Sequence, residues 1–106
     1  MGNKIIGSFV FEDIGNGCLS GRWHNNSERK TYPESAKLTS NRGALPFEGI
    51  YKTTWIQEHD KTESCELIIS LFHNEIYNVT WQRSNSIEYQ GQAMIYKGML
   101  VGHFYQ

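Results

Sequence analysis

Apolar and polar residues alternate along this chain with a period of two. In Cys18-Leu-Ser-Gly-Arg-Trp-His-Asn25, the residues Leu19, Gly21, Trp23 and Asn25 hold one set of alternate positions, and Ser20, Arg22 and His24 hold the other. Successive side chains of a strand face opposite sides, so one face of this segment runs from aliphatic through aromatic to amide. A sheet packed on a helix would ask for aliphatic residues throughout; this gradient suits the wall of a cavity with a dry floor and a polar upper part. Similar alternation recurs between polar turn clusters and predicts eight strands, at about 4–12, 18–26, 34–40, 47–57, 64–73, 76–83, 86–96 and 98–105.

The connections IGNG, NNSERKTYP, NRGALP, EHDKTE, HNE, RSNS and KG are short, and most are rich in turn formers. Parallel neighbours need long crossovers, so sequential antiparallel pairing follows. The expected fold is all-β, an eight-stranded up-and-down barrel formed by a single domain over 1–106. Closure removes the sheet edges and leaves space for side chains or one small ligand. A seven- or eight-stranded sandwich is the competing architecture. Inward parity places Phe9 and Phe11 in the lumen with Ala36 and Leu38, then Phe47, Tyr51, Thr53 and Trp55. It also places Cys65, Trp81, Ile87, Tyr89, Ile95 and Phe104 there. Trp23, a large ring next to Gly21, is expected to plug the tapering closed end.

Composition narrows the partners. The 106 residues carry a net charge of -1 with Lys/Arg and Asp/Glu nearly balanced, so no broad footprint for nucleic acid or anionic lipid exists. The longest apolar runs, such as Leu67 to Leu71, are too short to span a membrane, and the start MGNKIIGS lacks a secretory h-region. A soluble cytoplasmic protein is the expectation. Cys18 and Cys65 form no CxxC pair and are read as free thiols.

Two segments of the predicted lining resemble the avidin and streptavidin family of biotin-binding barrels. Leu19-Ser-Gly-Arg-Trp-His-Asn25 is similar to its apolar-Ser/Thr-Gly-x-Trp-x-Asn strand, and Phe47-Glu-Gly-Ile-Tyr-Lys-Thr53 to the strand ending Gly-x-Tyr-x-Ser/Thr. Val79-Thr-Trp81 and Tyr89-Gln-Gly-Gln-Ala93 resemble its Val-x-Trp and aromatic-x-Gly-Gln strands. The family closes its barrel with a further strand after the one matched by Met99 to Tyr105, whereas this chain places an additional strand ahead of Cys18. Residues 4–12 would then lie beside 98–105, a circularly permuted closure.

The resemblance implies a small-molecule receptor, with biotin or a biotin-like compound as the candidate guest. Asn25 and Tyr51 match donors to a ureido oxygen, and either Ser27 or Ser35 matches a third donor. Thr53 matches a hydroxyl that receives a ring N–H. Trp81 matches one aromatic wall, with Tyr89 and Phe104 where others would stand. A neutral urea needs such converging donors in a dry site. The resemblance also implies a homo-oligomer, dimer or tetramer; outward parity adds an apolar patch of Ile50, Ile56, Ile68 and Phe72.

Other chemistry is sparse. The four histidines sit on separate segments without metal-ligand spacing. There is no Gly-rich phosphate loop, nucleophile elbow or inward pair of carboxylates, and no cofactor is expected. The protein is read as a non-enzyme. Its rival readings are an oligomeric interaction module with a packed lumen, and a barrel-borne isomerase or cyclase, whose sign would be a pocket carboxylate of raised pKa.

Overall fold

The computed structural model describes residues 4–106, apart from the side chain of Glu58. Its strands are β1 (Ile6–Gly15), β2 (Cys18–Asn25), β3 (Tyr32–Leu38), β4 (Gly49–Gln57), β5 (Lys61–His73), β6 (Ile76–Arg83), β7 (Ser86–Tyr96) and β8 (Met99–Tyr105). Consecutive strands pair antiparallel in chain order, and β1 pairs with β8 to close the barrel. That last ladder runs from Ile6 opposite Tyr105 to Glu12 opposite Met99. The barrel is therefore a closed meander, as the short polar connections require.

Strand boundaries differ from the sequence reading where a turn former misleads. β3 starts at Tyr32, so Pro33 lies inside it, opposite Arg22 of β2. The ladder from β3 to β4 begins only at Glu34 opposite Trp55, so it asks for no N–H from the proline. β5 starts at Lys61, and the preceding Glu58–Asp60 forms a single 3-10 turn.

Register decides which residues reach the lumen. Between β6 and β7 the pairs run Trp81 with Tyr89, then Gln82 with Ile87, leaving Glu88 as an extra residue. This bulge reverses the parity of β7 near its start, so Ile87, expected inside, is 55% exposed. Ile95, also expected inside, lies beside the turn to β8 and is exposed.

The two ends of the lumen differ. Phe11, Leu19, Tyr51, Leu67, Ile69, Val79 and Leu100 are each at most 2% exposed and fill one end. The stopper at that end is Phe47. It belongs to the connection ahead of β4, holds φ at 68°, and is buried. The Tyr51 hydroxyl donates to its carbonyl oxygen at 2.8 Å. Trp23 is not the stopper: β2 runs from the filled end at Cys18 toward the other, and Trp23 lies two residues before its finish at Asn25.

The stopper generates a prediction. Phe47→Ala is expected to destabilise the barrel by about 3–5 kcal/mol through lost packing. Tyr51→Phe, which leaves the Phe47 carbonyl without its donor, should cost about 1–3 kcal/mol. Urea denaturation of both variants measures the two effects.

Candidate functional site

Beyond the filled end the lumen opens into a cavity of about 210 Å³. Its walls come from Trp23 and Asn25 of β2, Glu34 of β3, Trp55 and Gln57 of β4, Trp81 of β6, Tyr89 of β7 and Phe104 of β8, with Ile5, Ser27 and Glu28 nearer the chain connections. The rings support one another edge to face: Phe9 with Trp81 at 5.2 Å, Trp81 with Phe104 at 5.7 Å, and Tyr89 with Phe104 at 5.6 Å between centroids. Such pairs add to the area they bury. Trp23 stacks on Tyr32 at 5.0 Å. Phe104 can lie where it does because β1 carries Gly7 there; a Cβ at that position would come 2.5 Å from Phe104 Cζ.

Glu34 is the residue that sequence reasoning missed. It is 5% exposed, and its side chain crosses from β3 toward β4 and β6. Thr53 Oγ1 donates to its Oε2, and Trp81 Nε1 donates to the same oxygen at 3.0 Å. No donor among the described residues reaches Oε1, and the residue lines the cavity. Burial raises the carboxyl to a pKa of about 7, against the opposing effect of the Thr53 and Trp81 hydrogen bonds. A second cost sits close by: Trp23 Nε1 is buried without an acceptor among the described residues.

The signal for Glu34 was present in the parity of Tyr32, Glu34, Ala36 and Leu38, which face the lumen together. Glu34 already lies in the predicted strand 34–40 with the parity of Ala36 and Leu38, but as its first residue, and a carboxylate, it falls outside the predicted lining. The same parity puts Ser35 on the outer face, where it pairs with Ser20 and Thr54 and is exposed. Ser35 therefore makes no wall of the cavity. Ser27, the other serine considered, stands at the mouth, and its N–H and Oγ each donate to Asn25 Oδ1 at 2.9 Å.

The structure brings Asn25, Trp81, Tyr89 and Phe104 together around the cavity. Thr53 is fully buried beneath it, joined to Glu34. Tyr51 is inward but lies in the filled end, its hydroxyl spent on Phe47, so it is no part of the cavity wall. The difference is one of depth: Tyr51, Thr53 and Trp55 are successive inward residues of β4, and only the last reaches the open part. Among the described residues no cluster of three or more His, Cys, Asp or Glu side chains is placed to hold a metal ion.

Cys65 pairs with Thr53 across β4 and β5, and burial, reinforced by Glu34, pushes its thiol up to about 12. Cys18 is partly exposed. The chain matches no protein-family model, no curated protein and no solved structure.

Glu34 makes stability depend on pH in a defined direction. Its folded pKa of about 7 lies above the ordinary 4.5, so the folded state holds the proton longer than the unfolded chain. This contribution is most favourable below pH 4.5 and is lost as pH rises toward 7, at an overall cost of about 3 kcal/mol. Glu34→Gln keeps an acceptor for Thr53 and Trp81 but removes the titration. The wild-type urea midpoint is expected to fall relative to that of Glu34→Gln between pH 5 and pH 8. For the thiols, a disulfide reagent at pH 8 should label Cys18 in the folded protein and reach Cys65 only after unfolding; mass spectrometry of the labelled peptides reads the outcome.

Proposed function

We propose that this barrel is a non-catalytic receptor for one small ring compound held in the open end of its lumen. Glu34 supplies the pocket carboxylate of raised pKa that the rival isomerase or cyclase reading calls for, but its partners Thr53 and Trp81 offer no second acid or base beside it. The observation that carries the receptor reading is the cavity of about 210 Å³ walled by aromatic rings. Its volume exceeds the ~150 Å³ that admits benzene in an apolar core and lies below the ~300 Å³ at which drug-sized pockets begin. A guest of one or two rings fits that range. Aromatic side chains combined with placed polar groups, here Asn25, Ser27, Glu34 and Gln57, suit a small-molecule site.

The receptor reading includes a streptavidin-like architecture in which β1 takes the place of that family's final strand. The closed meander, the ladder from β1 to β8 and the order of the Trp23, Asn25, Tyr51 and Trp81 motifs support it. Biotin or a biotin-like ring is the candidate guest that this likeness suggests. Of its expected oxygen donors, Asn25 and Ser27 line the cavity, the Ser27 hydroxyl donating to Asn25 Oδ1, while Tyr51 and Ser35 do not. With each absent donor weakening binding by about 1–3 kcal/mol, a cyclic urea would be held loosely.

A second reading, an oligomeric interaction module, is favoured by apolar residues on the outer wall. Ile50 of β4 pairs with Ile68 of β5, and Ile56 and Phe72 on the same strands are exposed. Such a strip suits a second copy of the chain and is compatible with an occupied lumen.

Titration of tryptophan emission with biotin, 2-imidazolidinone and benzamide checks the receptor reading. At least one of the three is expected to give a saturable change with a Kd between about 10 µM and a few millimolar, in keeping with the efficiency of small ligands. Folded protein that responds to none of them, nor to the cationic isostere benzamidine, up to about 10 mM, would contradict it.

A further inference from the structure

The charged side chains of the cavity wall are both acidic. Glu34 lies within it and Glu28 stands near its mouth, and no Lys, Arg or His is among the described residues of the wall. Around Glu34 stand the indoles of Trp23, Trp55 and Trp81, the phenol of Tyr89 and the phenyl of Phe104. Aromatic faces carry partial negative charge and attract cations most strongly where water is excluded. A carboxylate among such rings lacks one thing, a positive partner, because burying an ionised group without one is costly.

The remaining hydrogen-bond capacity narrows the cation. Glu34 Oε2 is taken by Thr53 and Trp81, and Oε1 accepts from no described residue. A guest must therefore bring an N–H to Oε1, which a quaternary ammonium cannot do. A primary ammonium has the N–H but is strongly hydrated, whereas a planar delocalised cation is more weakly hydrated and stacks on rings. The Oδ1 atom of Asn25 already accepts twice from Ser27; of the wall's other acceptors only Glu28 and Glu34 carry a carboxylate, and Glu34 is the one buried among the rings. Building on the receptor reading, we propose that the guest is a compact planar organic cation of the amidinium class, which lies among the indoles and donates an N–H to Glu34 Oε1.

Binding of this kind selects the ionised form of Glu34, so affinity should rise with pH. The neighbouring groups do not obscure that dependence. Facing Glu34 from the other strands are Phe9 of β1, Trp23 of β2, Thr53 and Trp55 of β4, Trp81 of β6 and Phe104 of β8, none of which titrates near neutrality. Cys65 of β5 is pushed up to about 12, and the Tyr89 phenol of β7 is raised by burial, so both stay neutral. Glu28 accepts from the Tyr32 hydroxyl of β3 at 3.2 Å. Arg83, on the strand end near the mouth, is held by Glu63 at 3.4 Å and Glu88 at 3.2 Å.

Benzamidine and its neutral isostere benzamide separate charge from shape, and both are read by tryptophan emission and calorimetry. At pH 8 benzamidine is expected to bind at least about tenfold tighter than benzamide, because charge-assisted hydrogen bonds are roughly twice as strong as neutral ones. Benzamidine stays cationic between pH 5 and pH 8. With Glu34 titrating at about 7, its affinity should fall about a hundredfold over that range, while benzamide shows no such fall. In Glu34→Gln, checked for folding by circular dichroism, the preference and the pH slope should both disappear. Equal or tighter binding of benzamide at pH 8, or a flat wild-type pH profile for benzamidine, overturns the cation proposal and leaves the receptor reading standing. Absence of binding by either compound together with biotin and 2-imidazolidinone overturns both.

Discussion

Closure rests on the ladder between β1 and β8, seven residue pairs that join the two ends of the meander. Without it, both strands would be open edges with unpaired backbone groups. With it, every inward side chain of all eight strands competes for one enclosed volume. Large residues therefore cannot fill the lumen evenly. The fully buried aliphatic residues Leu19, Leu67, Ile69, Val79 and Leu100 concentrate toward the end stopped by Phe47, and the space left over appears at the opposite end, where Trp23, Trp55, Trp81, Tyr89 and Phe104 line the wall.

The unfavourable terms gather at that open end. Glu34 is desolvated, and Thr53 and Trp81 offset only part of the cost. The Trp23 indole N–H is buried without an acceptor among the described residues. At the filled end the polar atoms are satisfied, as the Tyr51 hydroxyl on the Phe47 carbonyl illustrates. Local rules are broken at the candidate site and obeyed where stability is made. A barrel with one well-packed end can tolerate a polar group that a uniformly packed core of this size would exclude.

Much of the fold was legible because its signal is local. A period of two between short polar turns left little besides sequential antiparallel strands, and the ladder from β1 to β8 follows once the strands are counted and the sheet closes. Depth along the lumen was less legible. Parity says that Tyr51, Thr53 and Trp55 face inward; it does not say which of them reaches the open part, because that depends on the side from which the stopper enters. The stopper comes from a connection, with Phe47 in a left-handed backbone conformation that alternation cannot reveal. Glu34 shared the parity of Ala36 and Leu38 but stood at the very start of the predicted strand, where a carboxylate reads as part of the polar turn, and the bulge at Glu88 turned Ile87 outward with no warning in its neighbours. Asn25, Trp81, Tyr89 and Phe104 gather at one end because each stands within three residues of its strand's end there, a consequence of register more than of residue type.

Phe104 rests over Gly7, and Phe11 rests over Gly21, where a Cβ would come 2.5 Å from its Cδ1 atom. Each glycine is thus the mould of a ring on an adjacent strand. Backbone closes the same positions: a Cβ would collide with the His24 carbonyl oxygen at residue 7 and lie 2.6 Å from the Val10 carbonyl oxygen at residue 21, so a smaller ring alone would admit no side chain there. Drift in a barrel of this design would hold both glycines fixed while the rings above them change, and the residue at 104 would set the width of the open end by itself.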